Sequence, residues 1–135
     1  MFGLAALLLQ LATMQPDVIH DPVVRGFSRE LLARARAERF AEQGAFVARA
    51  SDGTLYFIVW PPGPERDILR WRGRIPPGTI AILHTHPPAS PAASKIDERA
   101  ARSSRIPVYV ITNGGIARTL GEGSEMIVSG DWSSR

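Results

Sequence analysis

Two short apolar runs, TIAILHT (79–85) and PVYVIT (107–112), flank a segment of opposite character, SKIDERAARSSR (94–105). Each run has strand length and is apolar enough to lie inside a sheet. The charged segment between them reads as a helix, reached through a proline-rich turn, HPPASPAA (86–93). The rest of the chain falls into place around this strand–helix–strand unit. In DPVVRGFSRELLARARAERFAEQ (21–43), Val24, Phe27, Leu31, Leu32, Ala35 and Phe40 recur near helical spacing. Pro22 suits a first turn, Glu30 and Arg34 form an i,i+4 pair, and Gly44 is the expected end of the helix. Its arginines, Arg25, Arg29, Arg36 and Arg39, read as a solvated face.

AFVARA (45–50) and TLYFIVW (54–60) predict a hairpin closed at Ser51-Asp52-Gly53, since Asp-Gly is a two-residue turn signal. The proline- and glycine-rich segment 61–78 predicts a loop with a short extended piece at Ile68–Trp71. GIARTL (115–120) and SEMIVS (124–129) predict a second hairpin after the turn at 113–115, and DWSSR a loose tail. The fold class expected is therefore α/β (α+β): one mixed sheet with flanking helices. At 135 residues the chain fits one domain, placed at 17–130 with the tail at 131–135.

Residues 1–16 stand apart. Positions 2–9 are uniformly apolar, a run too short to span a bilayer and of the length of a signal-peptide core. No Lys or Arg precedes it and no A-x-A site follows, so a signal-like segment and a buried first helix are both open readings. Membrane contact is expected only through residues 2–12, and location is open between cytoplasm and export. The net charge of +3, with Lys95 the single lysine, does not call for nucleic acid. With no cysteine, disulfides, thiolate metal sites and cysteine nucleophiles are excluded.

The chemistry concentrates at the end of the first apolar run. His84 and His86, two of three histidines, stand at i and i+2 on one face of a strand. Asp97 follows in the first turn of the next helix. Two imidazoles and a carboxylate with a fourth position open describe a catalytic zinc site; iron or manganese tolerates similar ligands. The same Ser94 and Asp97 also read as a capping box, with Asp in place of the usual Glu, and Asp97 as a favourable charge at a helix start.

His84-Thr85-His86-Pro87, seven residues, Ser94, two residues, Asp97: this pattern resembles the JAMM motif of the JAB1/MPN/Mov34 metalloenzymes. The resemblance implies a single-domain, cytidine deaminase-like fold over roughly residues 20–130, of the compact prokaryotic type. It implies a Zn²⁺ held by His84, His86 and Asp97, with Ser94 donating to an oxyanion and Thr85 packing on the opposite strand face. The family also requires an upstream glutamate, often as Glu-x-Gly-x-hydrophobic. Glu42, before Gly44 and Phe46, fits best; Glu38 is the fallback, and Glu30 lies too deep in the helix. The implied activity is hydrolysis of a peptide or isopeptide bond in a protein or peptide substrate, possible substrates including a ubiquitin-like protein. Trp60 and Trp71, flanking the 61–78 loop, read equally as substrate contacts and as packing. Three rival readings follow from the same resemblance: a silent scaffold domain, a DNA-associated branch and an exported protease or toxin.

Overall fold

The computed structural model describes residues 17–39, 41–61 and 73–134. The readings placed on residues 1–16, Phe40, Ile68–Trp71 and Arg135 lie outside the described residues. Among the described residues no helix is long and apolar enough to cross a membrane. The elements are α1 (Pro22–Ala37), β1 (Gly44–Arg49), β2 (Leu55–Val59), β3 (Thr79–Thr85), α2 (Lys95–Ser104), β4 (Val108–Thr112), β5 (Gly115–Thr119) and β6 (Glu125–Ser129). The strands form one six-stranded sheet in the order β2-β1-β3-β4-β5-β6. β3 and β4 run parallel, linked through α2, and the other neighbours pair antiparallel. The architecture is thus the mixed α+β class that the strand–helix–strand pattern predicts.

Strand alternation divides the core in two. Ala81 and Leu83 of β3 join Tyr109, Ile111 and the α1 residues Val24, Leu31 and Leu32 on one face. Ile82 joins Phe46, Val108 and Ala101 of α2 on the other. Full burial of one such aliphatic side chain stabilises by roughly 1.5–3 kcal/mol. Because β3 and β4 are covered on both faces, neither can spend alternate positions on polar residues, which is why both read as continuous apolar runs. Toward the edge, Phe27 of α1 stacks on Phe57 of β2 with ring centroids 4.0 Å apart.

Two sequence expectations need correction. The first helix ends at Ala37, six residues short of the expected boundary. Glu38 N–H bonds back to Arg34 O, and Arg39 turns the chain with a left-handed φ of 56°. Residues 41–43 then lead into β1, and there the Gln43 backbone is bonded to Thr85 of β3. The residues themselves suit a helix, and a long-range contact overrides that preference. The hairpin turn between β1 and β2 falls at the expected residues 51–53, with Ala50 N–H bonded to Thr54 O at 2.8 Å. Gly53, at φ 89°, takes the left-handed position that a three-residue turn requires.

The tail is the second correction. Trp132 is buried, within a short 3₁₀ turn spanning Trp132–Ser134. Its indole N–H donates to Thr112 O at 2.8 Å, and Arg29 of α1 donates to its carbonyl at 3.3 Å. A composition of Ser, Asp and Gly hides one large apolar group that fills the core edge. At the other end of the domain, Tyr109 and Arg118 both donate to the Asp17 carboxylate. Trp132→Ala, which removes the ring and its hydrogen bond, is expected to cost about 3–5 kcal/mol in denaturant-unfolding free energy. A loss under about 1 kcal/mol, the size of a surface substitution, would mean that the tail is loose after all.

Candidate metal centre

β3 delivers His84 and His86 to the face that α2 covers, at the carboxyl end of the strand. Sheet folds of this kind place their sites there, where strands end and helices begin. The β3 ladder continues past its last residue, since His86 N–H still donates to Ile111 O of β4 at 3.1 Å. This fixes His86 as firmly as a strand residue. The imidazole rings lie 4.7 Å apart at 71° to each other. Both histidines are 8% exposed, and Asp97 is 6% exposed.

The proline-rich turn orients one ring. Ser90 N–H closes a turn on Pro87 O at 2.9 Å, and the Ser90 carbonyl then lies 2.9 Å from His86 Nδ1. A carbonyl only accepts, so His86 carries its proton on Nδ1, and Nε2 is left with its lone pair. That Nε2 faces Asp97 Oδ2 at 3.4 Å, and His84 Nε2 faces Asp97 Oδ1 at 2.5 Å.

Asp97 serves both readings made from the sequence. Its Oδ2 accepts from Ser94 N–H at 2.7 Å and from Ser94 Oγ at 2.9 Å, while Asp97 N–H donates to Ser94 Oγ at 3.2 Å. That is a complete capping box at the start of α2. The other oxygen, Oδ1, turns to His84. The cap therefore fixes the carboxylate that the histidines meet. The one hydroxyl proton of Ser94 is given to Asp97 in this arrangement, so the contact held here is not the expected oxyanion donation.

The donor set fits a cation. One nitrogen or oxygen donor from each of His84, His86 and Asp97 lies within 4.8 Å of the others. Ligands at zinc distance in a tetrahedron sit about 3.3 Å apart, so the group needs adjustments of up to about 1.5 Å. The lone pair of His86 Nε2 facing a carboxylate also requires a positive charge between them, either a proton or a metal. A buried His-His-Asp group compatible with Zn²⁺ is thus present, without its metal being identified.

Electrostatics point the same way. Burial works against a charged His86, but the Asp97 carboxylate, the Ser90 carbonyl and the Glu42 carboxylate outweigh it and raise its pKa above 6.5. Burial likewise works against an ionised Asp97, yet the two imidazoles and the Ser94 backbone hold its carboxyl well below the usual carboxylate range.

Glu42 lies outside α1, in the lead-in to β1. Gly44 pairs with His84, Thr85 N–H bonds to Gln43 O at 2.9 Å, and half-buried Glu42 lies near enough to His86 for its charge to raise the His86 pKa. Glu38 stays at the end of α1, exposed, where it accepts from Gln43 Nε2 at 3.0 Å. Glu30 is on the exposed side of α1. Trp60 is half-buried and packs on Phe46, ring centroids 5.1 Å apart. Trp71 lies outside the described residues.

Two contributors escaped sequence reasoning. Ser90 acts through its backbone carbonyl, which no side-chain pattern reveals. Thr85 does more than pack: its hydroxyl accepts from Gln43 N–H at 2.9 Å. The only signal was a hydroxyl residue in an otherwise apolar strand.

Two outcomes are expected. Ser94→Ala should cost about 1 kcal/mol of stability through the lost cap. It should also weaken zinc binding about 10–100-fold, because Asp97 loses its orienting partner; an unchanged affinity would detach the cap from the site. In the metal-free protein, raised His86 contributes stability below its ordinary 6.5 and loses it as pH climbs through the folded value. Asp97, with its pKa lowered from 3.8, contributes above that value and loses it as pH falls. The site's contribution is therefore greatest between the two. Zinc competes with the His86 proton, so it should raise the melting temperature more at about pH 8 than at about pH 6, and scanning calorimetry would read this directly.

No protein-family model matches the chain, and comparisons with curated proteins and with solved structures find nothing similar.

Proposed function

We propose that this protein is a zinc-dependent hydrolase of peptide or isopeptide bonds, of the JAB/MPN type that its JAMM-like pattern resembles. The observation that carries the reading is the convergence of His84, His86 and Asp97 at a strand end, with the charge of Glu42 acting on His86. Three N/O ligands from the chain suit catalysis, where a structural zinc site closes with four. A cation held there supplies the positive charge that makes a water a usable nucleophile near neutral pH.

The chain's own residues account for the remainder. His86, held by Ser90, presents Nε2, and Asp97, held by Ser94, presents Oδ1. Glu42 stands where a carboxylate takes a proton from an attacking water and returns it to the departing amine. Ser94 is then first a positioning residue for Asp97, and it serves an oxyanion only by releasing Oδ2. The substrate is a protein or peptide: a ubiquitin-like modifier, a sulfur-carrier protein or an ordinary peptide.

Metal analysis of the purified protein is expected to find about one zinc per chain and almost none in Asp97→Ala. Glu42→Gln should keep the zinc and lose about 10²–10⁴-fold in cleavage of tagged and linear peptide substrates. If neither protein takes up zinc when it is supplied, the hydrolase reading fails and a scaffold role takes its place.

A further inference from the structure

Gln43 and Thr85 face each other where β1 and β3 reach the metal ligands, one step beyond the Gly44–His84 pair. At a regular hydrogen-bonded antiparallel pair, two residues exchange both main-chain bonds. Here one bond is regular: Thr85 N–H donates to Gln43 O at 2.9 Å. The return bond is not. Gln43 N–H donates to the Thr85 hydroxyl, also at 2.9 Å. A side-chain oxygen stands in for the carbonyl and holds the lead-in of β1 through the flank of β3.

The substitution is buried and braced. Thr85 is 1% exposed, so water does not compete for its hydroxyl. The Gln43 side chain ties the same turn from the other side, donating to Ala41 O at 3.2 Å and to Glu38 Oε2 at 3.0 Å. Gln43 is thereby fixed at its N–H, its carbonyl and its amide. Glu42 is the next residue, so its backbone goes where Gln43 is held.

We propose that Thr85 is a positioning residue for Glu42: its hydroxyl anchors the Gln43 backbone and so sets where the Glu42 carboxylate stands relative to His84, His86 and Asp97. The catalytic consequence rests on the reading of Glu42 given above, whereas the anchor itself is a matter of main-chain geometry. Misplacing a catalytic group by about an ångström costs on the order of 10²-fold in rate.

The test compares Thr85→Val, which keeps the shape and removes the oxygen, with Thr85→Ser, which keeps the oxygen. Thr85→Ala stands in should the valine variant fail to fold. Hydrogen exchange at the Gln43 amide should quicken at least about 10-fold in Thr85→Val and stay near wild type in Thr85→Ser. Zinc stoichiometry should hold in both. The visible spectrum of the cobalt-loaded protein should move in Thr85→Val toward that of Glu42→Gln. With a cleavable substrate, kcat should drop about 10–100-fold in Thr85→Val while KM stays within about two-fold, and serine should restore it. Added to Glu42→Gln, Thr85→Val should lower kcat little further.

Unchanged Gln43 exchange, loss of zinc from Thr85→Val, or an undiminished effect on top of Glu42→Gln would each overturn the proposal. Should the wild-type protein cleave nothing, the hydrolase reading falls, and the exchange and cobalt measurements still decide whether Thr85 places Glu42.

Discussion

The carboxylate of Asp97 is shared between a helix and a strand. One oxygen closes the capping box of α2, and the other meets His84 at the end of β3. Neither partner can move without the other. The cap sets the rotamer of Asp97, and the histidines require that rotamer, so the start of α2 is locked to the strand that precedes it. The turn between them, residues 86–94, must span that gap, and its prolines hold it to few conformations. The parallel pairing of β3 with β4 follows from the same unit, because α2 must cross one face of the sheet to return the chain.

The two layers on either side of the sheet divide the labour. The α1 face carries the larger apolar cluster and the packing that stabilises the domain. The α2 face has a smaller cluster, which gives way to polar residues at the strand end. A buried carboxylate beside two imidazoles costs desolvation, and that cost is offset by the hydrogen bonds Asp97 accepts. A cation in the same place serves the same need, which is why the group suits metal binding in a chain without cysteine.

Thr85 and Ser90 show how such a site is held from outside its ligands. One offers a hydroxyl to the lead-in of β1, and the other a carbonyl to His86. Both act on backbone or ring orientation. The identity of the three residues alone leaves the orientation of the His86 ring and of the β1 lead-in undecided, and these contacts bear on both.

The sequence by itself determined most of the elements and the candidate His84, His86 and Asp97 group. Continuous apolar runs of strand length placed β3 and β4, periodicity near 3.6 placed the first helix, and i,i+2 spacing put His84 and His86 on one face. These are local properties, carried by residues close together in the chain. The class of the fold was legible for the same reason. What only the tertiary structure decided is where distant residues compete with local preference. Helix α1 stops at Ala37 because Gln43 finds its partner on β3, forty-two positions away in sequence. The tail is anchored because Trp132 reaches the carbonyl of Thr112 and the core beneath it. Asp17 ends among Tyr109 and Arg118, a hundred residues downstream, and nothing near it in sequence announces this. Each of these depends on which surfaces the folded sheet brings together, and a hydrogen bond or a buried ring outweighs a helix propensity of a few tenths of a kcal/mol.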